Sequence, residues 1–179
     1  RDLATRSRPL PGVSMFPLVG EVTPDRRARA DLPTAAGGFA PRRDATAYEA
    51  LRDRARELGR PAVVVHTLGT RRDFGARQAF VTNLLAAGGI SAVQEGAKVA
   101  ILASSRAGYA EHGASAIEAL RAAGVDTVLV AGRASELGDS AGAVDGEVHD
   151  GIDVVAFLSD VLDRLTPPRD AGTTTEGSR

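Results

Sequence analysis

From Thr46 onward the chain alternates two hydrophobic rhythms. Short continuous apolar runs, typical of strands buried on both faces, are separated by longer stretches whose apolar residues recur every three or four positions. The first long stretch, AYEALRDRAREL, sets Tyr48, Leu51, Ala55 and Leu58 at helical spacing. Thr46-Ala-Tyr-Glu49 ahead of it reads as a capping box, and Gly59 and Pro61 stop it. Pro61 to Thr67 (PAVVVHT) reads as a buried strand. Phe74 to Ala87 reads as a helix, with Phe74, Ala76, Phe80, Leu84 and Leu85 near one face and Gly88-Gly89 at its end. Further strands are expected at Ile90 to Val93, Lys98 to Ser104 (KVAILAS), Asp126 to Ala131 (DTVLVA) and, weakly, Gly146 to His149. Helices are expected at Tyr109 to Ala123 and Ile152 to Leu165.

Strands alternating with helices predict an α/β fold, a flavodoxin-like (Rossmann-like) parallel sheet of about five strands in the order 2-1-3-4-5, flanked by helices. One join resists it. Only Gln94-Glu95-Gly96-Ala97 separates the second and third strand candidates, whereas a parallel crossover takes a dozen or more residues, usually with a helix. Either Ile90–Val93 is not a parallel partner or a helix has been lost. Residues 1–45 read as an extended N-terminal arm and linker. Arg8 to Val22 holds short apolar pieces between Pro and Gly, suited to extended chain lying on another surface, and Ala30 to Asp44 is a linker by composition. Residues 46–165 form the α/β domain, and 166–179 read as a disordered tail. The first residue is Arg, so the chain reads as a piece whose upstream part is missing.

Composition narrows the chemistry. Hydrophobic residues are 43% of the chain but aromatic ones only 4%, so the core must be built from Ala, Val, Leu and Ile. The net charge is −1, which argues against a general nucleic-acid partner. Cys is absent, which removes disulfides, thiolate metal sites and a Cys nucleophile and fits a cytoplasmic location. No apolar run reaches the roughly 18 residues of a membrane span, so no membrane partner is expected.

Ligands of open parallel sheets sit at the carboxyl ends of the strands, which directs attention to Val63–Gly75 (VVVHTLGTRRDFG). Thr70-Arg71-Arg72-Asp73 at a helix start can hold a phosphate on free amides and the helix dipole. Equally, Asp73 can simply N-cap the helix while the arginines are solvated or face a partner subunit. His66, His112 and His149 have no metal-ligand spacing. Ser104 and Ser105 have no adjacent base and no nucleophile-elbow pattern, which argues against a hydrolase. A phospho-acceptor receiver needs acidic residues at the end of the first strand, where His66 and Thr67 stand.

Two stretches resemble the methylmalonyl-CoA mutase family, specifically its small, non-catalytic subunit. RSRPLPGVSMFP (Arg6 to Pro17) is similar to the R-x-P-[IL]-T-G-V-S-E-F-P segment near the end of that family's substrate-binding barrel, with Pro11 for the Thr and Met15 for the Glu. Residues 46–165 resemble its C-terminal cobalamin-binding-type domain through AYEALRDRA, LGTRRDFGAR and DVVAFLSDVLDRL. The resemblance implies an isomerase that interconverts methylmalonyl-CoA and succinyl-CoA with adenosylcobalamin (vitamin B12 coenzyme), a cofactor that carries the radical chemistry itself. It implies a heterodimer in which the large catalytic subunit holds the corrinoid and this chain is structural.

In cobalamin-binding members the first loop carries Asp-x-His-x-x-Gly, whose His ligates cobalt and whose Asp fixes the tautomer. Anchored on Gly75, that motif puts Thr70 at the Asp position and Arg72 at the His position, and Arg cannot lose its proton to become a ligand. Ser104 and Ser105 fall where the family has a Ser lining the nucleotide-tail groove. Ala131-Gly132 fall at its Gly-Gly, small residues that let a ligand tail slide between sheet and helix. Thr70, Arg72, Gly75, Ser104, Ser105 and Gly132 therefore outline a vestigial cofactor groove. No residue is a catalytic candidate. The alternative is a stand-alone corrinoid- or nucleotide-binding module that uses this groove without a His ligand, or with His66 in its place.

Overall fold

The computed structural model describes residues 2–19 and 44–166. The linker expected over 30–44 and the tail expected over 166–179 lie, apart from Asp44 and Thr166, outside the described residues. Helix α1 covers Thr46–Glu57, strand β1 Ala62–Thr67, α2 Arg71–Ala87, β2 Ser91–Val93, β3 Val99–Ala103, α3 Arg106–Ala122 and β4 Thr127–Ala131. A kinked 3-10 segment, Ala134–Ala143, leads to β5 at Gly146–Val148, and α4 at Val154–Leu165 closes the domain.

The five strands form one sheet in the order β2-β1-β3-β4-β5, every pair parallel. This is the flavodoxin-like order that the alternating pattern predicts. The pleat divides the apolar runs between two cores. Val63, Val65, Ile101 and Leu129 face α1, α2 and α4, where they meet Leu51, Leu84 and Leu158. Val64, Ala100, Leu102, Val128 and Val130 face α3 and the 3-10 segment, where they meet Tyr109, Ile117, Leu120 and Leu137.

Register resolves the short join between the second and third strands. Val93 and Ala100 both lie level with Val64, one on each side of β1. Strand β2 is only three residues long and stops where β3 is already starting. The chain therefore has to pass β1 sideways, a distance of two strand spacings or about 10 Å, without climbing back along the sheet. Residues 94–98 span that distance. Ser91–Val93 is a parallel partner, and the connection contains no helix.

The arm is seated on the α1 side. Tyr48 Oη donates to Leu3 O (2.9 Å), the Val154 amide donates to Ala4 O, and Arg52 Nη2 donates to Val13 O (2.7 Å). Arg6 Nη2 reaches Asn83 Oδ1 on α2 (2.7 Å). Ser14, almost fully buried, accepts from the Leu10 amide and tightens the turn around Gly12. Phe16 and Leu18 beyond this turn are more than 70% exposed.

The helix starts differ from expectation, α3 beginning at Arg106 instead of Tyr109 and α4 at Val154 instead of Ile152. Helix α1 begins at Thr46 itself with Ala45 at the cap, so the Thr46–Glu49 pair sits one position too late for a capping box. Helix α2 begins three residues earlier than its apolar spacing suggests. Its cap is Thr70, and Asp73 is the third helical residue.

Candidate functional site

Most of the residues singled out by the loop pattern do meet at the carboxyl end of the sheet. Thr70, Arg72 and Gly75 stand at the start of α2 after β1, Ser104 and Ser105 follow β3, and Gly132 follows β4. Parallel strands deliver all three joins to one end, so the convergence is a consequence of topology.

The polar groups at this end bind one another. Asp73 Oδ2 accepts from the Thr70 amide (2.9 Å) and from Thr70 Oγ1 (2.6 Å). These bonds, the hydroxyl's first, hold the Asp73 carboxyl below its ordinary pKa. Gly69 has φ +83°, and a Cβ there would press on the Asp73 carboxylate, so the loop needs glycine to let Asp73 reach back. Ser105 Oγ donates to Asp73 Oδ1 (3.3 Å) and accepts from the Gly108 amide as the cap of α3. Ser104 is fully buried and donates to Leu68 O (2.9 Å), tying the β3 end to the β1 loop. Arg72 is exposed on the first turn of α2, and a Cβ at Gly75 would meet only Arg71 at ordinary contact distance.

A second cluster seals the same end over β3 and β4, and it involves Arg77, Tyr109 and Glu136, none of which motif spacing identifies. Arg77 on α2 donates to Ala131 O (2.7 Å) and to Glu136 Oε2 (2.7 Å), with its guanidinium 5.2 Å from the Tyr109 ring centre. Tyr109 Oη lies within hydrogen-bond distance of both Leu102 O (3.0 Å) and Ala131 O (2.7 Å). Burial opposes the charge of Glu136. Bonds from the Arg133 amide and Arg77 outweigh that and hold its pKa below the usual carboxylate value. Burial raises the Tyr109 pKa, so the phenol stays protonated and a donor. Gly132 has φ +131°, and a Cβ there would collide with Arg77 Nη1 and Glu136 Oε1. The space left by the missing side chain is filled by the protein's own guanidinium.

This geometry does not fit a His-ligated corrinoid. The position expected of the ligand carries an arginine, and the room above Gly132 is taken. His66 does not face this end: it pairs with Leu102 in the sheet and lines a groove on the α3 face. His112 is exposed beside Glu111, and His149 Nδ1 is 2.7 Å from Asp150 O. Among the described residues no group of three or more His, Cys, Asp or Glu could hold a metal ion. No described helix is long and apolar enough to cross a membrane.

The fold and its strand-end loops define the class, a parallel five-stranded α/β domain of flavodoxin-like topology. Similarity to known proteins narrows this. No protein-family model matches the chain. Over 92% of its length it is 36% identical to the methylmalonyl-CoA mutase small subunit of Propionibacterium freudenreichii subsp. shermanii and 35% identical to the probable methylmalonyl-CoA mutase small subunit of Mycobacterium tuberculosis. The Streptomyces virginiae methylmalonyl-CoA mutase small subunit is 36% identical over the same share. The chain spans 29% of the length of these relatives. Along that share it is similar to one part of the methylmalonyl-CoA mutase small subunits.

Proposed function

We propose that this chain is the C-terminal part of the small subunit of an adenosylcobalamin-dependent methylmalonyl-CoA mutase, and that its role is structural: it packs against the large catalytic subunit and stabilises it. The observation that carries this reading is the match to small subunits over 92% of the chain. The strand-end chemistry supports the non-catalytic part. Thr70, Ser104, Ser105 and Gly132 belong to a vestigial groove whose polar groups bind each other, and Arg72 has no capacity for cobalt. In this reading residues 1–45 are the end of the barrel region with its linker, 46–165 the degenerate cobalamin-binding-like domain, and 166–179 a tail. The large subunit holds the adenosylcobalamin, and the assembly is cytoplasmic. Exposed Phe16 and Leu18 suit an arm that lies against further protein, since large apolar side chains presented together mark contact surfaces.

The test is to purify the chain with the large mutase subunit of the same organism. The expected result is co-elution and a higher unfolding temperature of the large subunit. Titration of the chain alone with adenosylcobalamin, followed in the visible spectrum, is expected to give no change up to about 1 mM, where binding is worth only roughly 4 kcal/mol. Failure to co-elute overturns the subunit role. A spectral change at micromolar concentration overturns the structural one.

A further inference from the structure

Among the described residues most cations pair with a carboxylate. Arg54 meets Asp163, Arg121 meets Asp145 and Arg164 meets Asp160. Arg71, Arg72 and Arg106 do not. All three are exposed, and none makes an ion pair or a side-chain hydrogen bond with a described residue. They lie at the carboxyl end of the sheet, Arg71 and Arg72 opening α2 and Arg106 opening α3. The bond from Ser105 Oγ to Asp73 Oδ1 (3.3 Å) joins these two helix starts, so Arg72 and Arg106 are each the chain neighbour of one of its members. Arg60 is the other exposed arginine without such a partner among the described residues, and it stands at the opposite end of β1. The placement is unfavourable in the chain alone. The first turn of a helix carries the positive end of its dipole and favours carboxylates. Helix α3 has no acidic residue there, and the one in α2, Asp73, is committed to Thr70 and Ser105. The charge of Arg106 reaches Glu136, but that carboxylate is bonded to Arg77 and to the Arg133 amide. Positive charge is therefore in excess at this end of the domain.

Such a face suits a broad acidic surface better than a small enclosed anion. The room above Gly132 is filled by Arg77, and the polar groups of the loops bind one another. What remains is a set of exposed arginines on two adjacent turns. Guanidinium forks pair with carboxylates through two parallel bonds, so the complementary surface carries Asp and Glu. The face is also continuous with the exposed end of the arm. Arg71 lines a shallow hollow on the outer side of α2 together with Phe16 and Pro17. The backbone of Phe16 is held at φ +52°, a conformation that few residues other than glycine adopt, and its ring is left 76% exposed. Aromatic residues and arginine are the side chains that protein interfaces concentrate, and they set this edge apart from an ordinary solvated surface.

We propose that Arg71, Arg72 and Arg106, with Phe16 beside them, form a docking face for an acidic surface of the large mutase subunit. The inference rests on the subunit role proposed above. The experiment measures the affinity of the unsubstituted chain for the large subunit at about 50 mM and about 500 mM salt, where screening differs strongly. At the lower salt it also measures the triple variant Arg71→Gln, Arg72→Gln, Arg106→Gln and the control Arg60→Gln, and it follows hydrogen exchange in the unsubstituted complex. The expected result is roughly tenfold weaker binding both at the higher salt and in the triple variant, with Arg60→Gln unchanged. Amides 71–72 and 106–107 should gain protection. The first amides of a helix have no acceptor within it, so they exchange readily in the chain alone. The salt and exchange measurements need no variant, so they decide the matter even if the triple variant misfolds. An unsubstituted chain that does not bind overturns both the subunit role and the docking face. Binding that the triple variant or the higher salt leaves unchanged, or that brings no protection at the two helix starts, overturns the docking face alone. Micromolar binding of inorganic pyrophosphate to the chain by itself, lost in the triple variant, would make this a small-anion site and overturn the proposal.

Discussion

The guanidinium of Arg77 meets a carbonyl of β4, a carboxylate of the 3-10 segment and the ring of Tyr109 on α3. With Arg77 31% and Glu136 19% exposed, the pair is dry enough for a charge-assisted bond, worth about 1.5–3 kcal/mol when one partner is removed. Glu136→Gln should therefore lower stability near neutral pH by an amount in that range, measured by urea unfolding. The pH dependence has a definite sign. The folded pKa of Glu136 is depressed, so its contribution is full above the unfolded value of about 4.3 and is lost as pH falls through the folded value. Stability should decline as pH drops below roughly 4.5, and less steeply in Glu136→Gln; parallel declines would show that Glu136 is not responsible. Gly132→Ala combines an unfavourable backbone with a collision against Arg77 and should cost about 2 kcal/mol or more. Part of that loss should return in Gly132→Ala with Arg77→Ala, where the collision is gone and the backbone term remains. The family motif leads to Gly132 but not to what fills the space above it, because the contacts of Arg77 lie 54 and 59 residues away in the chain.

At the scale of elements, apolar runs locate all five strands and the helices to within about three residues, most plainly where β3 and β4 are buried along their whole length and β1 through its middle, and less so at the short edge strands β2 and β5, which are only partly buried. Their ends are less legible. Asp73 is a familiar N-cap residue, yet Thr70 takes the cap and Asp73 reaches back from the first turn. Spacing alone does not separate those two arrangements, since either residue can cap. The 3-10 segment at Ala134–Ala143 carries little periodicity to read, and its Gly138 is not helical. The join at residues 94–98 shows how register, which pattern does not reveal, decides whether a short loop is long enough. The arm is pinned by side chains of α1 more than by its own apolar content. Tyr48→Phe removes the bond to Leu3 O and should cost about 1 kcal/mol. Arg52→Ala removes the donors to Gly12 O and Val13 O and should speed amide exchange at residues 10–15 while leaving β1 and β3 protected. Unchanged exchange in the arm would mean that Ser14 and its turn hold it unaided.

At the scale of the whole molecule, the family match and the strand-end geometry make a joint prediction. If the missing His were the only loss, Thr70→Asp with Arg72→His would restore the loop motif and create affinity for adenosylcobalamin. The loop keeps its backbone bond but loses its hydroxyl bond. Arg72 is exposed and the Thr70 amide still donates to Asp73, whereas Asp at position 70 removes the hydroxyl donor and sets a second carboxylate beside Asp73, a local cost that leaves the buried core untouched. The room above Gly132 does not follow, because Arg77 is anchored there by Glu136 and by the Ala131 carbonyl. The double variant should therefore fold, with its α/β circular dichroism intact, and leave the visible spectrum of added adenosylcobalamin unchanged. Adding Arg77→Ala removes the side chain that fills this space and the partner that holds Glu136 in place, so any restored affinity should appear only in the triple variant. A His-ligated spectrum in the double variant would show that the groove is open beneath Arg77. Silence in the triple variant, with the fold intact, would show that the bonds joining Asp73, Ser104 and Ser105 to their neighbours close this end of the sheet without Arg77.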